Sequence, residues 1–335
     1  MHQTAGSASD LPRLPVPGLA LRRLHAPADY PGMNAIANAM RIAEGDSFYT
    51  SVEQFQQFYE AIEHCDVTRD LFLVELDGRL VAYVRVGWRD EADARVYEPI
   101  VFLDPAVATR PVFEALFEVA ERRMAEVAAA HPAGPKVARI SAHSAEREAL
   151  LASRGYEPVR FFYTMVRPTL DDLADAPMPA GLEIRDVRRE DMEQIFQAET
   201  EAFRDHWAFA EPGATEREAF FNDPIQSDTS LWRVAWDGTE VAGMVRSYIH
   251  PEQNERLGVR RGWVEHISVR RPWRRRGLAR ALIAASLPLL RERGMTEGAL
   301  GVDTQNANGA VGVYERCGFV VVSRGSEYAR TLEPG

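Results

Sequence analysis

The second half of the chain alternates between stretches with helical and with strand periodicity. Apolar residues recur at helical spacing over Glu190–Phe203, which predicts an amphipathic helix. Two apolar stretches, Leu231–Trp236 and Val241–Ile249, flank the turn signal Asp237-Gly238 and predict a β-hairpin. A further helix is predicted over Leu278–Arg293, rich in Ala and Leu and followed by Gly294 at the expected C′ position.

Shorter patterns complete the order of elements. The remaining predictions are strands at Leu182–Arg185, Gly262–Val269 and Ala299–Val302, a helix at Ala310–Arg316 closed by Gly318, and a last strand that begins over Phe319–Ser323. The fold class predicted from this order is α/β (α+β), with a mixed, mostly antiparallel sheet flanked by helices. Two parallel strands of the sheet are expected to separate after Val269.

The chain also repeats itself at a nearly constant offset. Gly18-Leu19-Ala20-Leu21-Arg22 recurs as Gly181-Leu182-Glu183-Ile184-Arg185, Leu73–Gly78 resembles Arg233–Gly238, and Gly155–Val159 resembles Gly318–Val322. A period of this size indicates two copies of a whole domain. The predicted organisation is a disordered tail at 1–16, an N-terminal domain at 17–167, a solvated linker rich in proline and acidic residues at 168–180, and a C-terminal domain at 181–335.

Composition and charge narrow the classes of function. The chain has 335 residues and a formal net charge of −11, which argues against general binding of nucleic acid. No apolar stretch approaches the ~20 residues that span a bilayer, and the N-terminus lacks the apolar region of a secretory signal. Cys65 and Cys317 are too few for a disulfide scaffold. We therefore expect a cytoplasmic protein without a membrane partner.

One segment carries positive charge against this acidic background. Six arginines lie between Arg270 and Arg280, and Gly277 precedes the predicted helix from Leu278. Such a density of like charge suggests a local anion, and a glycine allows close approach to a helix N-terminus, whose amides attract phosphate. A pyrophosphate cradle is one interpretation. A solvated basic helix start and a nucleic-acid patch are the alternatives.

The same segment resembles the [Q/R]-x-x-G-x-[G/A] loop of the GNAT N-acetyltransferases. Arg274-Arg275-Arg276-Gly277-Leu278-Ala279 matches that loop, and the preceding strand ends in Ile267-Ser268-Val269 as the fourth strand of the family does. Downstream, Asn306, Ala310, Tyr314 and Gly318-Phe319 are similar to the N…A…Y-x-x-x-G-F tail of the family. The resemblance covers about residues 181–330. The whole chain resembles the tandem, mycothiol-synthase-like type with two GNAT folds.

The resemblance implies acetyl-CoA as co-substrate, without a metal. In the family the loop holds the pyrophosphate, while backbone groups of the fourth strand bind the pantetheine arm and polarise the thioester. The implied coenzyme contacts are Ile267, Ser268, Val269, Arg274, Arg275, Arg276, Gly277, Leu278, Ala279 and Asn306. Tyr314 takes the place of the general acid beside the sulfur. A packed helix tyrosine and, for Asn306, a helix cap remain the alternatives.

Glu265 is the candidate general base. It lies two residues before Ile267, so strand alternation is expected to put both on one sheet face near the thioester and His266 on the opposite face. A structural glutamate paired with an arginine is the alternative. His206 and Trp207 follow the first helix, where the family shapes its acceptor site, and Tyr248 ends the hairpin. These three are candidates for contact with the acceptor, although a capped loop would explain His206 and Trp207 equally well.

The N-terminal half lacks the motif residues at the corresponding positions. Alignment of Leu103 with Val269 puts Pro111 at the position of Gly277, Phe113 at that of Ala279 and Pro99 at that of Glu265, and Leu151 falls at the position of Tyr314. A proline removes an amide, and a phenylalanine blocks close approach of a ligand to the backbone. We expect a structural or substrate-shaping domain, with a pocket remodelled for another ligand as the alternative.

The predicted function is direct transfer of an acetyl group from acetyl-CoA to a primary amine of a small molecule in the C-terminal domain. Cys317 is expected at a helix end, which gives no reason for an acyl-enzyme. The resemblance implies a cysteinyl-aminosugar amine as acceptor, while antibiotics, polyamines and peptide N-termini stay open. A non-catalytic acyl-CoA-binding sensor is the alternative function. Either a monomer or a homodimer is expected.

Overall fold

The computed structural model describes residues 11–46, 48–91, 93–173, 175–306 and 309–332. The first half of the chain forms, in order, β1 (Leu19–Arg22), α1 (Tyr30–Ala43), α2 (Val52–Ala61), β2 (Leu71–Leu76), β3 (Arg79–Asp90), β4 (Arg95–Leu103), α3 (Arg110–Ala129), β5 (Lys136–Ala142), α4 (Ala145–Ser153) and β6 (Glu157–Arg167).

The second half repeats this order with one additional helix, α7. Its elements are β7 (Glu183–Arg185), α5 (Met192–Phe203), α6 (Ala214–Asn222), β8 (Trp232–Asp237), β9 (Glu240–Ile249), α7 (Pro251–Leu257), β10 (Arg261–Val269), α8 (Leu278–Glu292), β11 (Glu297–Asp303), α9 (Ala310–Arg316) and β12 (Val320–Thr331). The helices and strands predicted from the hydrophobic pattern are all present, within a few residues of their predicted ends. The helix α7 was not predicted, although Pro251 begins it and Gly258 ends it in the left-handed conformation.

The first of two compact units contains the described residues up to Gln56, the segment His64–Val159 and the described residues from Ser326 onward. Its strands follow the order β1-β2-β3-β4-β5-β12, antiparallel except for the β4–β5 pair. Leu116 and Phe117 of α3 are fully buried in a core that also contains Val84 and Tyr328.

The second unit contains Gln57–Glu63 and Arg160–Gly325. Its strands follow the order β6-β11-β10-β9-β8-β7, and the only parallel pair among them is β10–β11. Leu282 and Ile283 of α8 pack against Val264 in one apolar cluster, while Ile195 of α5 packs with Trp232 in another. The helices α8 and α5 therefore cover different apolar surfaces of the sheet.

The units differ from the boundaries that the repeat predicted, 17–167 and 181–335. Residues Gly298–Asp303 of β11 pair with β6, the last strand of the first half, and Ser326–Thr331 of β12 pair with β5. Each unit thus takes its closing strand from the other half of the chain. A repeat in sequence identifies equivalent strands but carries no information about which copy a terminal strand joins.

Two segments that were predicted to be disordered or solvated are packed against the protein in the structure. In the predicted tail, residues 1–10 lie outside the described residues, but Leu11, Leu14 and Val16 pack against the first core. In the predicted solvated linker, Leu170 is buried in the second core, and its amide donates to the Thr296 carbonyl. Because β6 pairs with β11 of the second unit, the residues that follow β6 pack against that same unit. Among the described residues, no helix is long and apolar enough to cross a bilayer.

Candidate active site

The strands β10 and β11 separate early along their length. Their parallel pairing covers only Arg261–Trp263 with Glu297–Ala299, so the splay begins before Glu265 and not after Val269 as predicted. Parallel strands that separate leave backbone amides and carbonyls free to bind an extended ligand. Glu265 lies in this opening, where its Oε1 accepts a hydrogen bond of 2.7 Å from the Gly301 amide.

A cavity of about 460 Å³ extends between the end of β10, the start of α8 and α9. Most of the predicted coenzyme contacts line this cavity, together with Tyr314 and His206. The predicted residues in its lining are His206, Ile267, Ser268, Val269, Arg274, Arg275, Gly277, Leu278, Ala279, Asn306 and Tyr314. The other candidates, Glu265, Arg276, Trp207 and Tyr248, lie outside that lining.

The N-terminus of α8 forms the floor of the cavity. Gly277 is its N-cap, with φ +84°, and lacks a side chain that could accept hydrogen bonds from the amides of the first turn. Those amides belong to Leu278, Ala279 and Arg280, which all line the cavity. A Cβ at Gly277 would meet nothing within 4 Å, so it would project into open space. Free amides at the positive end of a helix dipole suit a phosphate group.

Three of the six arginines of this segment are paired with carboxylates of the protein. Arg270 pairs with Glu201 and Glu240 at 2.7 and 2.8 Å, and Asp205 binds both Arg271 and Arg274, the latter at 2.6 Å. These contacts hold the pKa of Asp205 well below its usual range.

The expectation that the whole cluster needs an external anion is therefore wrong. Asp205, which follows α5, lies 66 residues from Arg271 in the chain and could not be paired with it from the sequence. Within the described part of the chain, no ion pair is formed by Arg275 or Arg280, and both line the cavity. Arg276 donates to the Ala180 carbonyl at 3.1 Å and points out of the cavity lining.

Glu265 and Tyr314 have the protonation properties of a base and an acid. Burial raises the pKa of the Glu265 carboxyl to about 7, against hydrogen bonds from the Gly301 and His266 amides that lower it. Tyr314 is only 7% exposed, and burial, followed by the negative charge of Glu265, raises its pKa far above that of a free phenol. At neutral pH Tyr314 therefore keeps a proton to donate, while much of Glu265 can accept one.

The strand β10 does not alternate regularly beyond Glu265. Its register against β9 shifts between Glu265 and Ser268, and His266 has φ +50°, in the left-handed region. Because a bulge inserts an extra residue, the predicted common face of Glu265 and Ile267 and the predicted opposite face of His266 are both wrong. Ile267 packs against the α8 cluster, whereas the His266 Nδ1 lies 2.9 Å from the Glu199 carboxylate of α5.

The candidates for acceptor contact lie in two places. The ring of His206 packs edge-on against Phe203, and burial lowers its pKa. Beside it, Trp207 lies under the Arg160 guanidinium at 5.5 Å. Tyr248 stacks on Trp263, and its pKa is raised first by burial and then by Glu265, which places it on the side of the proposed base.

Two further cations in the lining were not predicted. Arg280 lies one turn after Gly277, and Arg316 comes from α9, two residues after Tyr314. Helical spacing from Gly277 was a signal that could have identified Arg280, whereas only the packing of α9 places Arg316. Among the described residues, no group of three or more His, Cys, Asp or Glu side chains is arranged to hold a metal ion.

The first unit has a smaller cavity at the equivalent place. Its volume is about 220 Å³, and Leu103, Phe113 and Arg147 are in its lining. Arg147, with a side chain only 9% exposed, lies 3.1 Å from the Glu44 carboxylate and 4.6 Å from the centre of the Phe113 ring. Leu151, which was aligned with Tyr314, is fully buried in the first core. Protein side chains thus fill much of the space that is open in the second unit.

Comparison with known proteins agrees with this geometry. The acetyltransferase (GNAT) family matches residues 190–319, which include α5, the cavity and α9. A mycothiol acetyltransferase of Salinispora arenicola is 30% identical over 218 residues, which cover 63% of this chain and 68% of that protein. The chain belongs to the GNAT acetyltransferase family. It is an N-acetyltransferase, and the predicted resemblance is confirmed.

Other GNAT relatives extend the similarity over both halves of the chain. A mycothiol acetyltransferase of Catenulispora acidiphila is 31% identical over 192 residues, 56% of this chain and 59% of that protein. A solved GCN5-related N-acetyltransferase from Sphaerobacter thermophilus has a TM-score of 0.69 at 26% identity and covers 96% of this chain and 98% of its own.

A tandem GNAT protein from the clavulanic acid biosynthesis pathway has the same fold, with a TM-score of 0.64 at 15% identity over 95% of this chain and 99% of its own. The predicted fold class, two tandem GNAT folds, is confirmed.

Proposed function

We propose that the second unit transfers an acetyl group from acetyl-CoA directly to a primary amine of a small molecule. The observation that carries this proposal is the position of Glu265, a carboxyl with a pKa of about 7 in the opening between β10 and β11, next to a cavity that ends at uncapped helix amides. Bound acetyl-CoA would supply the activated acyl thioester.

The cavity suits a coenzyme with a diphosphate. The amides of Leu278, Ala279 and Arg280 would bind the diphosphate, and the guanidinium groups of Arg275 and Arg280 would balance its charge. The backbone of Ile267, Ser268 and Val269 would bind the pantetheine arm, since β10 has no parallel partner beyond Trp263. Asn306, which also lines the cavity, would contact the coenzyme.

The acid and base roles follow from the two protonation states. Glu265 would accept a proton from the amine as nitrogen attacks, and Tyr314 would donate one to the departing sulfur. Of the two free cysteines among the described residues, Cys65 lies in the first unit and Cys317 caps the end of α9 outside the cavity lining. A direct transfer, without an acyl-enzyme, fits these positions.

The acceptor is proposed from the relatives and from the residues near Glu265. Both curated relatives described above are mycothiol acetyltransferases, so a cysteinyl-aminosugar amine is the first acceptor to examine. His206, which lines the cavity, and its neighbour Trp207 would contact it from one side. Tyr248, whose pKa is raised first by burial and then by the charge of Glu265, would contact it from the side of the proposed base. Net negative charge also favours a cationic acceptor.

The test is thiol release from acetyl-CoA on a panel of amines, measured beside calorimetric binding of acetyl-CoA. The panel contains a cysteinyl-aminosugar, an aminoglycoside, a polyamine and a peptide with a free N-terminus. Amine-dependent release on at least one of them is the expected result. Tight binding with no release on any acceptor would support the non-catalytic acyl-CoA sensor, and no binding would overturn the proposal altogether.

The variant Tyr314→Phe is expected to slow turnover about tenfold while the Kd for acetyl-CoA changes less than twofold. The variant loses the proton donor but keeps the ring that packs against Phe319. Steady-state kinetics and calorimetry measure the two quantities. Tyr328→Phe is the matched control, because Tyr328 is equally buried, at 7%, but lies in the first unit. Equal turnover of Tyr314→Phe and wild type would remove Tyr314 from the acid role.

Acetyl-CoA is expected to bind with a stoichiometry of about one per chain. The cavity of the first unit has a volume of about 220 Å³, and that of the second unit about 460 Å³. The ion pair between Arg147 and Glu44 also lies in the lining of the smaller cavity. Calorimetric titration of the whole protein measures the stoichiometry. A second equivalent of bound acetyl-CoA that survives in a Gly277→Asp variant would contradict this prediction and assign a ligand to the first unit.

A further inference from the structure

His266 is held in an unusual conformation beside the proposed base. Its φ of +50° is rarely adopted by residues other than glycine, and such conformations persist where the surroundings hold them in place. The contact that holds His266 is made by its own ring, whose Nδ1 lies 2.9 Å from the Glu199 Oε1. The bulge in β10 is thus tied to α5 by this side chain.

The Glu199 carboxylate is kept charged by a second partner. Arg246 of β9 donates from Nε to the same oxygen at 3.2 Å, and its guanidinium lies over the rings of Phe220 and Trp232 at 4.6 and 5.0 Å. Although Glu199 is buried, these two partners lower its pKa. A charged carboxylate can only accept hydrogen bonds, so the Nδ1 of His266 must carry the hydrogen.

This tautomer leaves the Nε2 of His266 with a free lone pair. The side chain of His266 is 37% exposed, so the ring is open on one side. Burial and the charge of Arg246 lower its pKa, against the effect of Glu199, so the ring is neutral at neutral pH. A neutral imidazole oriented by a carboxylate is the arrangement that proteins use to accept protons.

Glu265 and His266 lie on the same face of the sheet. Glu265 is paired across the strands with Arg246, and cross-strand partners project to one face. Arg246 and His266 both contact Glu199, which identifies this as the face covered by α5. The ring of Phe203 at the end of α5 contacts both His266 and His206, so His266 also borders the proposed acceptor side.

An aliphatic amine needs two proton acceptors on its way to an amide. It arrives mainly as an ammonium ion, because its pKa lies between about 8 for an α-amine and about 10 for an alkylamine, and nitrogen must lose one proton before it attacks and another as the C–N bond forms. A single carboxylate holds one proton at a time. The proposed function, with Glu265 alone, therefore assigns no group of the protein to one of these protons.

We propose that His266 is this second proton acceptor and removes the first proton from the ammonium form of the acceptor. The proposal rests on the proposed function. The Nε2 of His266 would take the first proton, and Glu265 would take the second as the C–N bond forms and the C–S bond breaks. Tyr314 would protonate the sulfur and regain a proton from Glu265, while His266 would release its proton to solvent. One proton per turnover is then set free, which balances the reaction.

Among the described residues, the charged groups that act on His266 come from three elements packed near it, and one more precedes it in its own strand. Glu199 belongs to α5, Arg246 to β9, and Asp223 follows α6 and acts on His266 at longer range. Glu265 precedes His266 in β10. Replacement of His266 alone leaves these groups in place, so its effect on the reaction can be measured separately.

The test compares His266→Asn with His266→Gly on the best acceptor of the panel. Both residues tolerate the left-handed conformation that the bulge requires. Asn can still donate to Glu199, whereas Gly removes that contact and leaves space in which added imidazole can replace the ring. We expect both variants to lose about tenfold in kcat/KM for the amine and to keep the Kd for acetyl-CoA. Added imidazole should restore His266→Gly in a concentration-dependent way. His25→Asn, on an exposed residue of the first unit, is the control.

A purely structural role predicts a different outcome. The proposal is overturned if kcat/KM for the amine in His266→Asn stays within twofold of the wild type. It is also overturned if added imidazole does not raise the kcat/KM of His266→Gly. The loss should also shrink on an acceptor amine that is already neutral at pH 7, because that amine has only one proton to lose, and an equal loss on both amines would contradict the proposal. Absence of amine-dependent thiol release by the wild type would instead overturn the proposed function.

Discussion

Glu265→Gln is expected to lower kcat/KM for the amine about 100-fold or more, because the variant keeps the shape of the side chain and loses the base. In the wild type, kcat/KM should rise with pH through an apparent pKa near 7, since Glu265 accepts a proton only when it is ionised. As pH falls below 7, the wild type should lose activity. The inflection near pH 7 that belongs to Glu265 should be absent from the variant. Steady-state kinetics between pH 5.5 and 9 give both quantities.

The thermal stability of Glu265→Gln tests the raised pKa of Glu265 independently of catalysis. Because burial raises the pKa of Glu265 in the folded protein, the folded state binds the proton more tightly than the unfolded state, and stability falls as pH rises from the unfolded value toward 7. Glu265→Gln should therefore raise Tm at pH 8 relative to the wild type and have less effect at pH 5.

Glu327→Gln is the matched control, since Glu327 is a glutamate of the first unit whose pKa is also raised by burial. Wild-type kinetics in Glu265→Gln at every pH would exclude Glu265 as the base.

Gly277→Asp is expected to weaken acetyl-CoA binding about 100-fold. The carboxylate would accept hydrogen bonds from the first amides of α8 and would repel a diphosphate at the same place. The fold should be retained, because a Cβ at this position meets nothing within 4 Å and aspartate tolerates the left-handed conformation. Calorimetric titration measures the Kd.

Two further variants separate charge from conformation. Gly277→Asn adds a similar side chain without charge, so it should weaken binding less than Gly277→Asp. Gly258→Asp places an aspartate at another glycine with positive φ and open space, at the end of α7, and should leave the Kd unchanged. If Gly277→Asp binds acetyl-CoA like the wild type, the N-terminus of α8 does not hold the diphosphate.

Local structure in the second half followed closely from its hydrophobic pattern. The hairpin β8–β9 turns at Asp237-Gly238 and α8 ends before Gly294 with φ +82°, because these features depend on residues close together in sequence. The segment Arg274–Ala279 was placed correctly at the start of a helix, and Gly277 has the positive φ that a close approach of ligand to backbone favours.

Features that depend on distant residues could not be predicted. The sequence shows six arginines but not that Asp205 would bind Arg271 and Arg274, and strict alternation gave the wrong face for His266 because a bulge has no reliable signature in β10. The partner of His266, Glu199, lies on a helix 67 positions earlier and was read only as part of an amphipathic pattern. The roles of Glu265 and Tyr314 remain predictions, which the variants above address.

The origin of the closing strands affects how the two halves of this protein can evolve. A deletion of the first half, whose cavity has lost the proposed chemistry, would also remove β6 and leave β11 of the second unit without its antiparallel neighbour. Loss of Ser326–Thr331 would likewise leave β5 without its antiparallel neighbour β12. If the second unit is catalytic, as proposed, selection for it preserves both halves of the chain, and this gives the first half a reason to persist even if it binds nothing.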